Sequence, residues 1–234
     1  MPSETLVMIP PLLCDARVFE VQLAALSRDH AVTVAPATCG ERMEEIASQI
    51  LSWAPSRFAL FGMGMGGMVA IELLRRAPER VTRLMLVGTT AQADTPEIAA
   101  ARETQIIAAR AGRWEDVLNH EINAEWIAPT GDRAQLTARL TRMGQDIGAE
   151  SYVRQIRALQ RRKDQQAVMG KIGQPTQIIC GRHDGQYNVK RHQFMAQMMP
   201  NAHLEVIENA GYMPTLETPA DMTGFMKAWM AQPQ

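Results

Sequence analysis

Phe58-Ala59-Leu60-Phe61-Gly62-Met63-Gly64-Met65-Gly66-Gly67-Met68-Val69-Ala70 is the stretch on which the fold turns. It reads as a buried strand, a glycine turn and the start of a helix. Four glycines in six residues permit a sharp turn and close approach of another backbone or a ligand. Two motifs fit. Gly62, Gly64 and Gly67 spell G-x-G-x-x-G, a dinucleotide-binding fingerprint. Gly62 and Gly66 also match the outer glycines of G-x-S-x-G, a turn that presents a nucleophilic serine, but Gly64 stands where the serine belongs. The rest of the chain has to decide.

Upstream, Leu6–Ile9 is an apolar run stopped by Pro10 and Pro11, which predicts a strand. Asp15 is placed to cap a helix through Leu26, with Val18, Phe19, Val21 (or Gln22) and Leu26 near helical spacing. A second strand is expected over 31–34, a helix over Met43–Trp53, and the third strand over 57–61. The helix after the glycines should run from 66 to 76, and a fourth strand over 83–87. Strict alternation of strands and helices with short connections argues a doubly wound, mostly parallel sheet.

From about 94 to 171 the alternation gives way to helical patterns, at 96–111, 114–121, 132–143, 149–160 and 164–169. This is too long for a plain crossover and reads as a helical lid over the sheet's carboxyl edge. The alternation then resumes: strand 176–180, helix 189–199, strand 203–207, closing helix 220–230. The expectation is a six-stranded core, 1–93 with 172–234, and a lid insertion, 94–171. Loops 62–67, 181–185 and 209–214 converge at the carboxyl edge, where open parallel sheets bind ligands.

The nucleotide reading fails on context. A dinucleotide fold opens with its glycine-rich strand and places an acid at the end of the next strand, to hold the ribose. Here two strand–helix units come first, and the next strand ends Val87-Gly88-Thr89-Thr90.

The other context holds along nearly the whole chain. Residues 9–17 (IPPLLCDAR), 62–67 (GMGMGG), 181–184 (GRHD) and 208–217 (ENAGYMPTLE) have the order and spacing of the α/β-hydrolase fold. The chain resembles the small bacterial esterase and lactonase-like members that lack the first two strands of the full sheet. The resemblance implies that the nucleophile belongs at Gly64, the acid at Asp184 and the base at Tyr212. Only the acid is in place. It implies an oxyanion hole from the backbone N–H groups of Leu12 and Met65, and a small carbonyl or carboxylate ligand. Met63, Leu13, Cys14 and Trp126 are expected to line the pocket.

Gly64 has no side chain and forms no acyl-enzyme. Tyrosine, with an ordinary pKa near ~10, is a poor base at neutral pH. Cys14 is a possible substitute nucleophile, against a reading as a packed side chain. Tyr212 reads either as a proton donor or as an aromatic filling the vacated histidine site, and Asp184 as a retained acid or a cap of its own loop. His183 is a candidate base; His192 and His203 read as surface histidines. Arg157, Arg161, Arg162 and Lys163 read as a solvated face. Three functions stay open: a non-covalent lyase, cyclase, isomerase or decarboxylase using the oxyanion hole; a binding protein without chemistry; and a hydrolase inactivated at its nucleophile and base.

Composition bounds the rest. The chain has 234 residues, 46% of them hydrophobic, and a net charge of −1. That balance offers no case for nucleic acid or an anionic membrane. Three cysteines without C-x-x-C spacing, and an N-terminus unlike a leader peptide, point to the cytoplasm. No cofactor is expected, and His183, Asp184 and His192 lack a compact metal-ligand spacing. The oligomeric state is left open.

Overall fold

The computed structural model describes residues 4–129 and 131–232. Six strands form one sheet: β1 (Leu6–Ile9), β2 (Val32–Val34), β3 (Phe58–Met63), β4 (Val81–Val87), β5 (Thr176–Gly181) and β6 (Ala202–Ile207). Their order is β2-β1-β3-β4-β5-β6 and every pairing is parallel. The chain winds outward through β2, then returns past β1 to β3. The crevice at the carboxyl ends of β1 and β3 is therefore the switch point of the sheet.

The helices are α1 (Glu20–Leu26), α2 (Met43–Trp53), α3 (Met65–Arg76), α4 (Pro96–Arg110), α5 (Trp114–Glu121), α6 (Arg133–Gln160), α7 (Gln166–Met169), α8 (Val189–Met198), α9 (Pro214–Glu217) and α10 (Pro219–Met230). Strand alternation divides the core between two faces. Val7, Ile9, Phe58 and Leu60 pack with α2, α3 and the helices between β4 and β5. Leu6, Met8, Ala59, Phe61 and Met63 pack toward α1 and α10. The period-two switching is the reason a continuously apolar run forms a strand covered on both sides. Each large side chain so buried contributes about 1.5–3 kcal/mol.

Three expectations change. The helices foreseen at 132–143 and 149–160 are one run, α6, broken at Gly148, where φ is 77° and ψ 163°. The helix foreseen from Asp15 begins as a 3-10 turn, Ala16–Phe19, because the Asp15 carboxylate accepts from Arg17 N at 2.9 Å and tightens the start. Within it Gln22, not Val21, faces inward: Gln22 Nε2 donates to Thr215 O at 3.1 Å, while Val21 is exposed. The turn Ala124–Trp126 and the short helix α9 carry no helical period in the sequence and were not foreseen. Among the described residues no helix is long and apolar enough to cross a membrane.

Candidate active site

Gly64 is the first residue after β3 and the residue before α3. Its φ of 54° and ψ of −121° form a sharp strand-to-helix turn, a backbone that side-chain-bearing residues adopt at a cost of about 1–3 kcal/mol. Its carbonyl accepts from Thr89 Oγ1 at 2.7 Å, and its N–H donates to Val87 O at 2.9 Å. The turn is thus tied on both sides. What faces it is Tyr212. A Cβ built on Gly64 would overlap the Tyr212 hydroxyl and lie 2.8 Å from Pro11 Cβ. The phenol fills the space where a side chain at 64 would begin.

Tyr212 is held by its backbone. Its N–H donates to Trp126 O at 2.7 Å. The Glu217 carboxylate accepts from Gly211 N at 2.8 Å, Met213 N at 2.7 Å and Ala128 N at 2.7 Å. One carboxylate at the end of α9 therefore fixes the loop on both sides of Tyr212 and joins it to the strap at 126–128. The ring lies between Trp126, at a centroid distance of 6.0 Å, and Tyr187, at 6.1 Å. Burial, then the neighbouring Tyr187 and Asp184, raise the phenol's pKa well above its ordinary value. It stays protonated and can donate but not act as a base.

Asp184 lies in the loop after β5. Its Oδ1 accepts from Gln186 N at 2.9 Å and Tyr187 N at 2.7 Å, capping its own loop. Its Oδ2 is buried and has no partner, so the Tyr212 hydroxyl does not reach it. A tyrosine is longer than a histidine, and its hydroxyl overshoots toward Gly64. Burial pushes the Asp184 carboxyl up to about 7, against the two N–H donors, which lower it.

Of the two expected backbone donors, Leu12 lines the cavity beside Tyr212, and Met65 opens α3 directly after Gly64. Leu12, Leu13, Cys14 and Trp126 line a cavity of about 40 Å³ beside Tyr212, together with Glu121 and Gln186. Met63 does not. Its side chain packs in the buried cluster that holds Phe61, Cys14 and Tyr212, and its sulfur accepts from Thr215 Oγ1 at 3.7 Å. Leu13 has a positive φ of 59°, and its N–H donates to Gln155 Oε1 of α6 at 3.4 Å. Cys14 is buried and burial drives its thiol far up, which removes it as a nucleophile at neutral pH.

His183 is exposed and does not line the cavity. His192 is a correction: it is completely buried, not on the surface. Its Nε2 accepts from Thr89 N at 3.1 Å and its Nδ1 lies 3.1 Å from Asn188 O. Burial lowers its pKa to about 4, so it is neutral. Cys180, Asp184 and His192 bring one ligand atom each within 4.8 Å of one another. Both histidine nitrogens are already engaged by backbone, and burial pushes the Cys180 thiol up to about 12. Arg162 is also buried, not solvated; it bonds Gln92 O and lies 3.6 Å from Asp94. Neither burial shows in the sequence, because the helical period of a short segment does not say which face a neighbouring loop covers.

A family profile described as serine aminopeptidase, S33, matches residues 43–218, more than half of the chain. The chain belongs to this family, within the α/β-hydrolase superfamily. A pimeloyl-[acyl-carrier protein] methyl ester esterase from Nitrosomonas europaea is 27% identical over 187 residues, covering 76% of this chain and 73% of the relative. An esterase structure from Thermogutta terrifontis with malate bound superposes with a TM-score of 0.88 at 20% identity, covering 98% of this chain and 90% of that one. The enol-lactonase of Burkholderia xenovorans superposes at 0.85 and 20% identity, covering 98% and 92%. The six-stranded α/β-hydrolase fold read from the sequence is thereby established. The curated relatives are hydrolases, which favours the hydrolase reading over the lyase-type one.

Proposed function

We propose that the protein is an esterase- or lactonase-type hydrolase scaffold in which acyl transfer through residue 64 is closed, and whose pocket takes a small carbonyl or carboxylate compound. One observation carries this reading: the Tyr212 hydroxyl occupies the space in which a side chain on Gly64 would begin. The two departures from the family pattern are thus one change. A serine at 64 needs a smaller partner at 212, and a tyrosine at 212 needs a glycine at 64. The backbone N–H groups of Leu12 and Met65 do not depend on either side chain, so a carbonyl or carboxylate oxygen can still be held there. The N-terminus of α3 favours that negative charge.

A fluorophosphonate probe, which labels activated serines, tests the reading. The wild-type protein should stay unlabelled. The Gly64→Ser/Tyr212→His variant should label at position 64, and Gly64→Ser alone should label far more slowly, because the phenol is in the way. Labelling of the wild type, or none in the double variant, would remove the reading.

One observation favours the non-hydrolytic alternative. A phenol held protonated at the vacated nucleophile position could donate to an enolate as readily as to an ester carbonyl. In that case Tyr212→Phe would slow turnover of the true substrate with little loss of binding.

A further inference from the structure

The helices between β4 and β5 bring a carboxylate to the pocket that neither the motif reading nor the family pattern supplies. Among the described residues lining the 40 Å³ cavity, Glu121 is the one charged side chain. It ends α5 and is half-buried. Its Oε1 accepts from the Tyr152 hydroxyl at 2.7 Å. Tyr152 is itself fully buried and packs against Trp114 with the rings tilted by 59° at a centroid distance of 5.3 Å. The carboxylate is therefore aimed by a rigid donor, while its second oxygen is not used in that contact. Leu12 and Tyr212 line the same cavity. The Glu121 charge acts on the Tyr212 phenol, adding to the groups that hold it protonated.

We propose that Glu121 is a general base that activates a water for direct attack on an ester or lactone carbonyl held at the Leu12 and Met65 N–H groups. This rests on the reading of the pocket as an esterase-type pocket closed to acyl transfer. The cavity has room for a water, which needs about 10–15 Å³ of such space. The water oxygen bonds to the carbonyl carbon, and the proton it loses passes to Glu121. The carbonyl electron pair moves onto oxygen, where the two backbone N–H groups and the Tyr212 hydroxyl stabilise it. The tetrahedral adduct collapses, the C=O re-forms, and the alkoxide leaves with the proton returned by Glu121. Ester and water become acid and alcohol, with Glu121 restored. The base comes from α5 rather than from the histidine position that Tyr212 fills, and no covalent intermediate is needed.

Glu121→Gln tests this with least disturbance, because it keeps an oxygen for Tyr152 and removes the basicity. p-Nitrophenyl acetate and γ-butyrolactone serve as probes, with intact-protein mass recorded during turnover. Wild type should turn over at least one of them above the rate of the same mass of unfolded protein, without a mass adduct. Glu121→Gln should lower kcat by about 100-fold or more, the scale of general base catalysis, with KM within about threefold and unfolding temperature unchanged. Tyr152→Phe, which leaves the base but not its aim, should give a smaller loss. A wild-type kcat in Glu121→Gln overturns the proposal, and so does the absence of turnover of both probes by wild type. An acyl adduct on the wild-type protein is a separate outcome, overturning the reading of a closed covalent route on which the proposal rests.

Discussion

At the scale of single residues, the centre of the site is a steric exchange. Gly64→Ala meets two obstacles, a positive φ and the Tyr212 hydroxyl. Backbone strain costs about 1–3 kcal/mol; the overlap adds to it. Tyr212→Phe removes the obstructing oxygen, though ring carbon Cζ would still lie 3.3 Å from the new Cβ. The two substitutions should therefore be non-additive, with Gly64→Ala costing about 0.5–3 kcal/mol less in the Tyr212→Phe background. Urea unfolding of the four proteins measures this, and additivity would show that the phenol is not the obstacle. Asp184 gives a second residue-scale prediction. Its folded pKa, about 7, lies above the ordinary 3.8. Its folded form thus holds a proton that the unfolded chain has released, and stability falls as pH rises from about 4 to 7. At 1.36 kcal/mol per unit the upper bound is about 4 kcal/mol. His192 has the opposite slope, because its folded pKa of about 4 lies below the ordinary 6.5. In wild type the two slopes oppose each other between about pH 4 and 6.5. Asp184→Asn should therefore gain thermal stability relative to wild type progressively as pH rises through this window. A constant difference across the series would contradict the raised pKa.

At the scale of elements, the strands and long helices were legible because their periods are strong and their ends are punctuated. Pro10 and Pro11, for example, stand where the sequence reading stopped the first strand. Gly64, Asp184, Tyr212 and the Leu12 loop were legible through their place in a recognised pattern. Glu121 and Gln155 were not, because their partners, Tyr152 and Leu13 N, are brought near only by the tertiary fold, and Glu217 stood in the 208–217 segment without any sign of its contact to Ala128 N. Glu217 shows why this matters. Its carboxylate satisfies three N–H groups from two segments, 126–128 and 211–213. Glu217→Ala leaves all three without their acceptor, a loss of at least about 2 kcal/mol for bonds to a charged group. It should also release Tyr212, so the phosphonate labelling of a Gly64→Ser protein should speed up in its presence. Labelling at an unchanged rate would mean that Tyr212 is held by its ring contacts alone. Gly148 makes the complementary point. It splits a helical pattern that the sequence already divided, and a Cβ there would touch nothing within 4 Å. Gly148→Ala should still cost about 1–3 kcal/mol, because its φ and ψ lie in a region essentially reserved for glycine.

At the scale of the whole molecule, the division into a core and a lid meets a packing fact. Ile106, Val117, Tyr152, Ile156 and Leu159, from the helices between β4 and β5, belong to the same buried cluster as Ile9, Met68, Ile71 and Leu86 of the sheet and α3. A separate domain would carry its own core, joined to its neighbour by a small and more polar interface. Here the helices complete the core that the sheet begins, and α6 reaches down to the Leu13 loop through Gln155. Unfolding should accordingly be one transition, with calorimetric and van't Hoff enthalpies equal. At about 0.7 kcal/mol per residue near 60 °C, the enthalpy for 234 residues is about 160 kcal/mol. Two resolved transitions, or a van't Hoff enthalpy well below the calorimetric one, would mean that the helices unfold as an independent lid. A single transition places the cost of opening the pocket on the shared core. A ligand seated beside Glu121 of α5 should therefore raise the unfolding temperature of the whole chain rather than of one part.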